Sequence, residues 1–270
     1  MMRSLWTAAT GMMTQQTNLD VISNNLANVN TTGFKKETAE FKSLLYQTIQ
    51  EQSYDHNGDP KPSGIQVGLG VRNSAITSRY TQGNLLETGN DYDFAVEGNG
   101  FFMVQTRDGG VAYTRNGSFQ LANGVNGVTL ATSDGNPLLD TTGSPIIIDS
   151  IYNPANITIN DSGELCYPDE DNNAMPIGIQ IGLAQFNNPS GLEKMSNSLL
   201  RETDASGVAR LEAEDGALQK SKIRQGYLEG STVQSVDEIV NLIVAQRAYE
   251  MNSKVITAAD EMLQQANNLR

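Results

Sequence analysis

The sequence predicts an α+β fold in which paired long terminal α-helices, packed in a coiled-coil-like manner, carry a central all-β domain of short antiparallel strands. Three observations support this prediction. Apolar residues recur at heptad spacing near the N-terminus, residues 233–269 have a helical period without Gly or Pro, and the residues between alternate with a period of two. The predicted segments are an N-terminal helix at 1–30, a connecting segment at 31–71, a β domain at 72–226 and a C-terminal helix at 227–270.

The N-terminal helix is predicted to run from about Arg3 to Asn28. Because an α-helix turns once in 3.6 residues, residues seven apart form a narrow stripe by which the helix packs lengthwise on a partner. Gly11, in the middle of the helix, would let a second helix approach closely. The opposite face is rich in uncharged amides, and it is either solvated or packed on further helices. The stripe consists of Leu5, Met12, Leu19 and Leu26, with Ile22 beside it.

The connecting segment has two parts. Residues 34–50 are expected to form a second helical or extended piece, with Phe41 and Leu45 among its apolar contacts. Residues 51–64 are rich in Gly, Pro and Asn, which is typical of a loop. The single histidine, His56, lies in this loop, and a lone histidine in a polar loop is interpreted as exposed.

The central β domain is predicted from alternation and turn chemistry. Apolar residues alternate with polar residues or glycine over 65–72 and 177–183. Asn-Gly and Asp-Gly pairs suit the positive φ angles of tight hairpin turns, so they predict short antiparallel strands. These pairs are Asp108-Gly109, Asn116-Gly117, Asn123-Gly124, Asn126-Gly127 and Asp134-Gly135.

The C-terminal helix carries two apolar stripes, which predict two sets of neighbours. The first stripe is expected to face the N-terminal helix of the same chain, and the second would stay uncovered unless further copies of the chain pack against it. If such contacts join head to tail without closing, they build an open helical filament. The first stripe is Leu242, Ala245, Tyr249, Ile256, Ala259, Leu263 and Ala266; the second is Val244, Ala248, Met251, Val255, Ala258, Met262 and Leu269.

Composition argues against several functions. The chain has 18 basic and 31 acidic residues, which argues against nucleic acid or an anionic membrane surface as a partner. With Cys166 as the only cysteine and His56 as the only histidine, the sequence offers no disulfide and no zinc or transition-metal cluster, and no cofactor is expected. No apolar run is long enough for a membrane span, and the N-terminus lacks the apolar core of a secretory signal.

A carbohydrate-active enzyme is the alternative class. Its acid and base would be two of the central carboxylates, but no aromatic-rich cleft accompanies them, since the only tryptophan is Trp6. The run 169–173 resembles the start of a calcium loop but lacks the mid-loop glycine and closing glutamate, so it is interpreted as a solvated loop. The carboxylates considered are Asp134, Asp140, Asp149, Glu164, Asp169 and Asp171.

Several motifs resemble those of one family. The run Asn24-Asn25-Leu26-Ala27-Asn28 through Gly33-Phe34-Lys35 is similar to the N-terminal signature of the bacterial flagellar axial proteins, which form rod and hook. The run Val236-Asp237-Glu238 through Gln246-Arg247-Ala248-Tyr249 resembles their C-terminal signature. Central runs at 98–102, 113–119 and 224–229 are also similar. The chain length and the opening Arg3-Ser4-Leu5-Trp6 are most like those of the distal-rod members.

The resemblance implies a structural subunit and no enzyme. It implies a rigid helical tube that transmits torque from motor to hook and encloses the export channel; a proximal rod or hook subunit is the alternative. The implied partners are copies of itself, proximal rod and hook proteins, the export apparatus and rod cap, and ring proteins where an outer membrane is present. It further implies export without a cleavable signal to the basal body, outside the cytoplasmic membrane. Residues 31–71 would then bridge subunits and resist bending.

Overall fold

The structure is a computed structural model that describes residues 2–50, 64–124, 127–149, 151–169 and 173–268. Two long helices, α1 (Met2–Ala27) and α2 (Ser235–Asn268), lie at the two ends of the chain. Every strand pairing between them is antiparallel. The predicted class, a helix at each end and a β-rich centre of small antiparallel sheets, is confirmed. His56 and residues 51–63 of the predicted loop lie outside the described residues.

The strands are short and numerous. In chain order they are β1 (Glu37–Ser43), β2 (Tyr46–Gln50), β3 (Ile65–Gly68), β4 (Val71–Ser78), β5 (Leu85–Glu87), β6 (Phe94–Glu97), β7 (Phe101–Gln105), β8 (Val111–Thr114), β9 (Phe119–Gly124), β10 (Gly127–Thr132), β11 (Ile147–Ile148), β12 (Thr158–Ile159), β13 (Glu164–Pro168), β14 (Ala174–Gln180), β15 (Leu183–Gln185), β16 (Glu193–Lys194), β17 (Leu199–Arg201), β18 (Arg210–Leu211), β19 (Lys222–Gln225) and β20 (Tyr227–Glu229). Two 3₁₀ turns occupy Pro154–Asn156 and Pro189–Gly191.

The chain divides into two units. The helical unit contains the described residues of Met1–Ala27, Glu37–Ser78 and Gln234–Arg270, and the β unit contains those of Asn28–Lys36 and Arg79–Val233. The sequence placed the start of the β domain at residue 72, which falls inside β4. Because β4 pairs along its whole length with β1, the structure groups both strands with the helices. Likewise, residues 227–229 form β20, and α2 begins only at Ser235.

In the helical unit, α1 and α2 pack antiparallel. Glycine at position 11 lets α2 come close, because a Cβ there would lie 2.9 Å from Asn252 Nδ2. A second contact joins Asn25, fourteen residues after Gly11 on α1, to Glu238, fourteen residues before Asn252 on α2. Asn25 Nδ2 donates to Glu238 Oε2 at 3.2 Å. The two contacts therefore fix one register over about 21 Å of helix.

The segment 34–50 was predicted to be either helical or extended. It is extended from Glu37 onward. It forms β1 and β2, which pair with β4 and β3. Backbone hydrogen bonds from Leu44 to Gly70 and from Leu69 to Leu45 continue the ladder between these two pairs. Gly70 has a φ of 115°, and a Cβ there would lie 2.2 Å from Thr10 Oγ1, so this position needs glycine.

The β unit is built on a six-stranded sheet with the order β16-β17-β8-β7-β15-β18. Two of the predicted turn pairs, Asp108-Gly109 and Asp134-Gly135, have glycine at φ 80° and 81°. Gly117 is needed for another reason, because a Cβ there would lie 1.6 Å from the carbonyl oxygen of Phe94. The main apolar core includes Phe94, Val96, Phe102, Val104, Phe119, Leu130, Leu138, Ile146, Leu165, Ile181 and Ile223.

A second apolar cluster lies around the ring of Phe186. Its ring meets Phe101 and Tyr113 edge-on, with centroids 5.7 and 4.8 Å away. Burial, together with the neighbouring carboxylate of Glu202, raises the pKa of Tyr113 to about 12. Within the described part of the chain, neither helix has the length and apolarity needed to cross a membrane.

The buried phenol of Tyr113 predicts a loss of stability at high pH. A tyrosine in the unfolded chain titrates near pH 10 and Tyr113 titrates at about 12 in the fold, so the unfolded chain loses its proton first. Stability should therefore fall by about 1.4 kcal/mol per pH unit across this window. Urea unfolding followed by near-UV circular dichroism should show this fall, and Tyr113→Phe should show a smaller one, since the raised pKa of Tyr92 remains. Tyr46→Phe, which changes an exposed ring, should keep the wild-type dependence.

Candidate functional site: the helix pair and a buried ionic cluster

The predicted helix–helix residues lie on the paired helices, at unequal depth. Ile22 is buried, while Leu5, Met12, Leu19 and Leu26 on α1 and Leu242, Ile256 and Leu263 on α2 are half-buried. Tyr249 is 39% exposed. The most deeply buried positions of α2 are Glu238, Ala245 and Ala259. Two of these three side chains are small alanines, because the helices approach closely near Gly11. The spacing of the large apolar residues alone does not predict this close approach.

The second stripe of α2 is not covered by α1. Val244 and Met251 are each 62% exposed, Met262 is 50% exposed, and Val255 is 47% exposed. Ala248 and Ala258 lie in the same row, and Leu269 lies outside the described residues. We call this row, residues 244–262, the open face of α2. A contiguous exposed apolar row of this kind marks an interaction surface.

Asn25 joins three elements of the helical unit. Its Nδ2 donates to the backbone carbonyl of Glu37 at 2.9 Å, and its Oδ1 accepts from the backbone N–H of Glu37 at 2.9 Å. The same Nδ2 also donates to the Glu238 carboxylate. Asn25 and Glu238 are each 1% exposed, so these bonds are shielded from water. The end of α1, the start of α2 and the start of β1 are thereby held together.

The β unit contains a buried ionic cluster of Lys35, Arg115 and Glu229. Lys35 Nζ lies 2.6 Å from Glu229 Oε1, and Arg115 Nη1 lies 3.4 Å from Glu229 Oε2. The Glu229 side chain is fully buried, and both cations are 5% exposed. Oε1 of Glu229 also accepts bonds from Gln82 Nε2 and the backbone N–H of Gly83. The carboxylate therefore has four partners, as a buried charge requires.

Burial dominates the electrostatics of the two cations. Desolvation lowers the pKa of Lys35, against the attraction of Glu229, and it lowers the pKa of Arg115 in the same way. Arg115 Nη2 donates to the carbonyl of Gly98 at 2.6 Å, and the guanidinium lies 4.9 Å from the ring centroid of Phe101. Its Nε is buried without a hydrogen-bond acceptor. One carboxylate between two cations thus leaves the group short of negative charge.

A second buried carboxylate, Glu212, supplies that charge, since it also attracts Arg115. Glu212 is 6% exposed and accepts from Gln185 Nε2 at 2.8 Å, Ser221 Oγ at 2.8 Å and the backbone N–H of Ser221 at 2.7 Å. Ser221 Oγ in turn accepts from the backbone N–H of Gly100. Arg115 is therefore attracted by two buried carboxylates, Glu229 and Glu212.

The sequence signatures meet one another around this cluster. The N–H of Gly33 donates to the carbonyl of Glu229 at 2.8 Å, and the N–H of Thr232 donates to the carbonyl of Phe34 at 3.1 Å. Gly33 has a φ of 70°, and a Cβ there would lie 2.7 Å from the backbone of Arg115. Glycine at position 33 is therefore required. The end of the N-terminal signature, the run 113–119 and the run 224–229 therefore pack against one another.

The sequence motifs contain Lys35, Arg115, Glu229 and Glu238, but they do not identify these charges as site residues. The available signal was partial: Arg115 is the single charge of the run 113–119, whereas Glu229 shares its run with Arg224 and Glu238 follows Asp237. The other signature residues have varied positions: Asn24, Ala27, Gln246 and Arg247 are exposed, and Leu26, Asn28 and Ala248 are half-buried. Arg247 forms an exposed ion pair with Glu250 at 2.9 Å.

No two carboxylates of the alternative enzyme class line the same one of the described cavities, although Asp134 lines two of them. A polar cavity of about 300 Å³ is lined by Asp161, Glu212, Lys220 and Lys222, and none of the considered carboxylates lines it. Asp134 lies in an exposed turn, Asp140 accepts bonds from its neighbour Thr141, and Glu164 accepts from Asn160. Asp171 lies outside the described residues. No metal-binding group of His, Cys, Asp and Glu occurs within the described ranges.

The described geometry defines a class, that of a subunit whose terminal helices form a pair with an uncovered apolar face. Three family models match the chain: a flagella basal body rod protein model at residues 5–35, the D1 domain of the flagellar hook proteins FlgE/F/G at 95–167, and the C-terminal model of the flagellar basal body rod FlgEFG proteins at 224–269. These matches coincide with α1, the first half of the β unit and α2.

Whole-chain relatives agree with these models. The chain is 42% identical over 271 residues to the flagellar basal-body rod protein FlgG of Buchnera aphidicola subsp. Acyrthosiphon pisum, with 100% of both chains covered. It is 42% identical over 279 residues to FlgG of Borreliella burgdorferi and 38% identical over 270 residues to FlgG of Bacillus subtilis, each covering at least 99% of both chains. The chain belongs to the FlgG family of flagellar basal-body rod proteins and is a structural subunit of the rod.

The ionic cluster predicts a large cost for removing its anion. Glu229→Gln would leave Lys35 and Arg115 buried with too little negative charge, which typically costs about 3–5 kcal/mol. Urea unfolding followed by near-UV circular dichroism measures the loss. Glu193→Gln is the matched control, because its partner Arg201 is exposed and such pairs contribute about 0–1 kcal/mol. Equal effects of the two substitutions would contradict a structural role for the cluster.

Proposed function

We propose that this chain builds the distal part of the rod by polymerising through its helix pair into a rigid helical tube that transmits torque from motor to hook and encloses the export channel. The observation that carries the proposal is the open face of α2, where four large apolar side chains remain exposed after α1 has packed. Exposure of this apolar face to water has an unfavourable free energy, and burial against a second copy removes this term. Membership of the rod family supports a second copy as the occupant.

The helices would then form a continuous inner layer. In this proposal α1 and α2 pair in a coiled-coil-like manner within one chain, and α2 contacts the next subunit through the open face. Leu5, Met12, Leu19, Ile22 and Leu26 with Leu242, Tyr249, Ile256 and Leu263 are the proposed helix–helix assembly residues. Uncharged amides such as Gln15 and Gln16 suit a channel wall, because they can meet a passing chain without holding it by charge.

Residues 31–71 are proposed to bridge neighbouring subunits and to resist bending. Their described part supports this, because the paired strands β1–β4 and β2–β3 expose several large apolar side chains. Leu45 is 82% exposed, Tyr46 63% and Ile49 54%. Residues 51–63, which would also contribute to stiffness, lie outside the described residues.

The proposed partners and location follow the family. Besides its own copies, the chain would contact proximal rod and hook proteins, the rod cap and the export apparatus, and ring proteins where an outer membrane is present. It would act in the basal body outside the cytoplasmic membrane after export without a cleavable signal, without nucleic acid, membrane insertion, cofactor or enzymatic activity. A proximal rod or hook subunit is the second candidate, and the high identity to FlgG proteins favours the rod.

The open face makes a specific prediction about assembly. Met251→Asp should abolish polymerisation while leaving the single chain folded, because it places a charge in a face that would become buried between copies. Sedimentation and negative-stain electron microscopy measure polymer, and circular dichroism checks the fold.

Thr257→Asp is the matched control, since Thr257 is exposed on the same helix outside the open face. It should polymerise normally. Normal polymerisation of Met251→Asp would show that the open face is not the subunit contact.

A further inference from the structure

The apolar residues of the helix pair do not by themselves define its register. Large apolar residues repeat every seven positions on both helices, at Leu5, Met12, Leu19 and Leu26 on α1 and at Leu242, Tyr249, Ile256 and Leu263 on α2. A shift of one helix by seven residues would therefore match apolar side chains again. Some other contact must select the observed register.

Glu238 is the charged residue among the buried positions of α2, and it needs a donor wherever it lies. In the observed register Asn25 Nδ2 is one donor to its carboxylate. A shift of seven residues would bring Glu238 opposite Asn18 and Gly11 opposite Ala245. Asn18 also carries an amide, so the presence of a donor does not by itself distinguish the two registers.

The difference is that the Asn25 amide is already oriented. Both ends of its side chain bond the backbone of Glu37 at 2.9 Å, which fixes the amide and directs its remaining N–H toward α2. Pairing with Glu238 then costs little side-chain entropy. We propose that Asn25, held by Glu37, is the positioning residue that sets the register of the antiparallel helix pair. A single buried polar residue can set register in this way at some cost in stability.

Cross-linking would measure the register directly. A Cβ built at position 11 would lie 3.2 Å from Asn252 Cγ, so cysteines at 11 and 252 would be close enough to test for a disulfide. In a Cys166→Ser background, Gly11→Cys is combined in turn with Asn252→Cys, Ala245→Cys or Ala259→Cys. The last two positions lie about 10.5 Å from residue 252 along α2. With Asn25 present, only the 11/252 pair should close within one chain.

Asn25→Leu should leave both helices formed but should remove the preference for the observed register. The 11/245 disulfide should rise from at most about one-tenth of the 11/252 product to a comparable amount, since a hydrogen bond to a charged group biases an equilibrium by about tenfold or more. The 11/259 pair should stay open, because that shift offers Glu238 no amide on α1. Simple destabilisation would not produce this directional change.

Two further variants make the test decisive. Asn24→Leu, the same change at the exposed neighbour, should leave 11/252 as the only product. Glu238→Leu keeps both Asn25–Glu37 bonds and should also release the register, so it tests the same step if Asn25→Leu loses helicity. Exclusive 11/252 closure in helical Asn25→Leu or Glu238→Leu, or release by Asn24→Leu, would overturn the inference. None of these measurements requires polymer, so the outcome is independent of the proposed function.

Discussion

The structure depends on one geometric constraint: a long helix with two apolar rows meets a partner that can cover only one of them. The helices approach closely at Gly11 and Asn252, and Ala245 and Ala259 of α2 are buried, whereas the row from Val244 to Met262 stays in water. A hydrophobic row on a single chain has an unfavourable hydration free energy that a second copy can remove. The single chain thus leaves an apolar row uncovered, and in the proposed function this row is the physical basis for assembly in a rod.

The β unit has a different role: its buried ionic cluster holds together segments that are distant in sequence. Lys35, Arg115 and Glu229 come from three such segments, and each brings a charge into a site closed to water. Leaving any charge unpaired there is costly, so the segments are held in place together or not at all. This requirement gives Lys35, Arg115 and Glu229 a structural role inside their sequence motifs.

The sequence predicted the terminal helices well, because apolar periodicity is a local property and both helices are long. It also predicted antiparallel strands from alternation and from pairs such as Asp108-Gly109. It did not predict the grouping of β4 with the helices, which depends on pairing with β1, about 28 to 41 residues away. Nor did it single out Lys35 or Glu238 as site residues, because a charge looks solvated in sequence until its partner from elsewhere in the chain is known.

The rate of maleimide labelling at Met251→Cys, in a Cys166→Ser background, tests the central claim most directly. Residue 251 is exposed in the single chain, and Ala259→Cys, at a position that is 1% exposed, gives the reference rate for a buried thiol. We expect fast labelling of Met251→Cys in the monomer and a fall to the buried reference rate in the polymer. An unchanged fast rate in the polymer would contradict this expectation, because the open face of α2 would then remain in water after assembly.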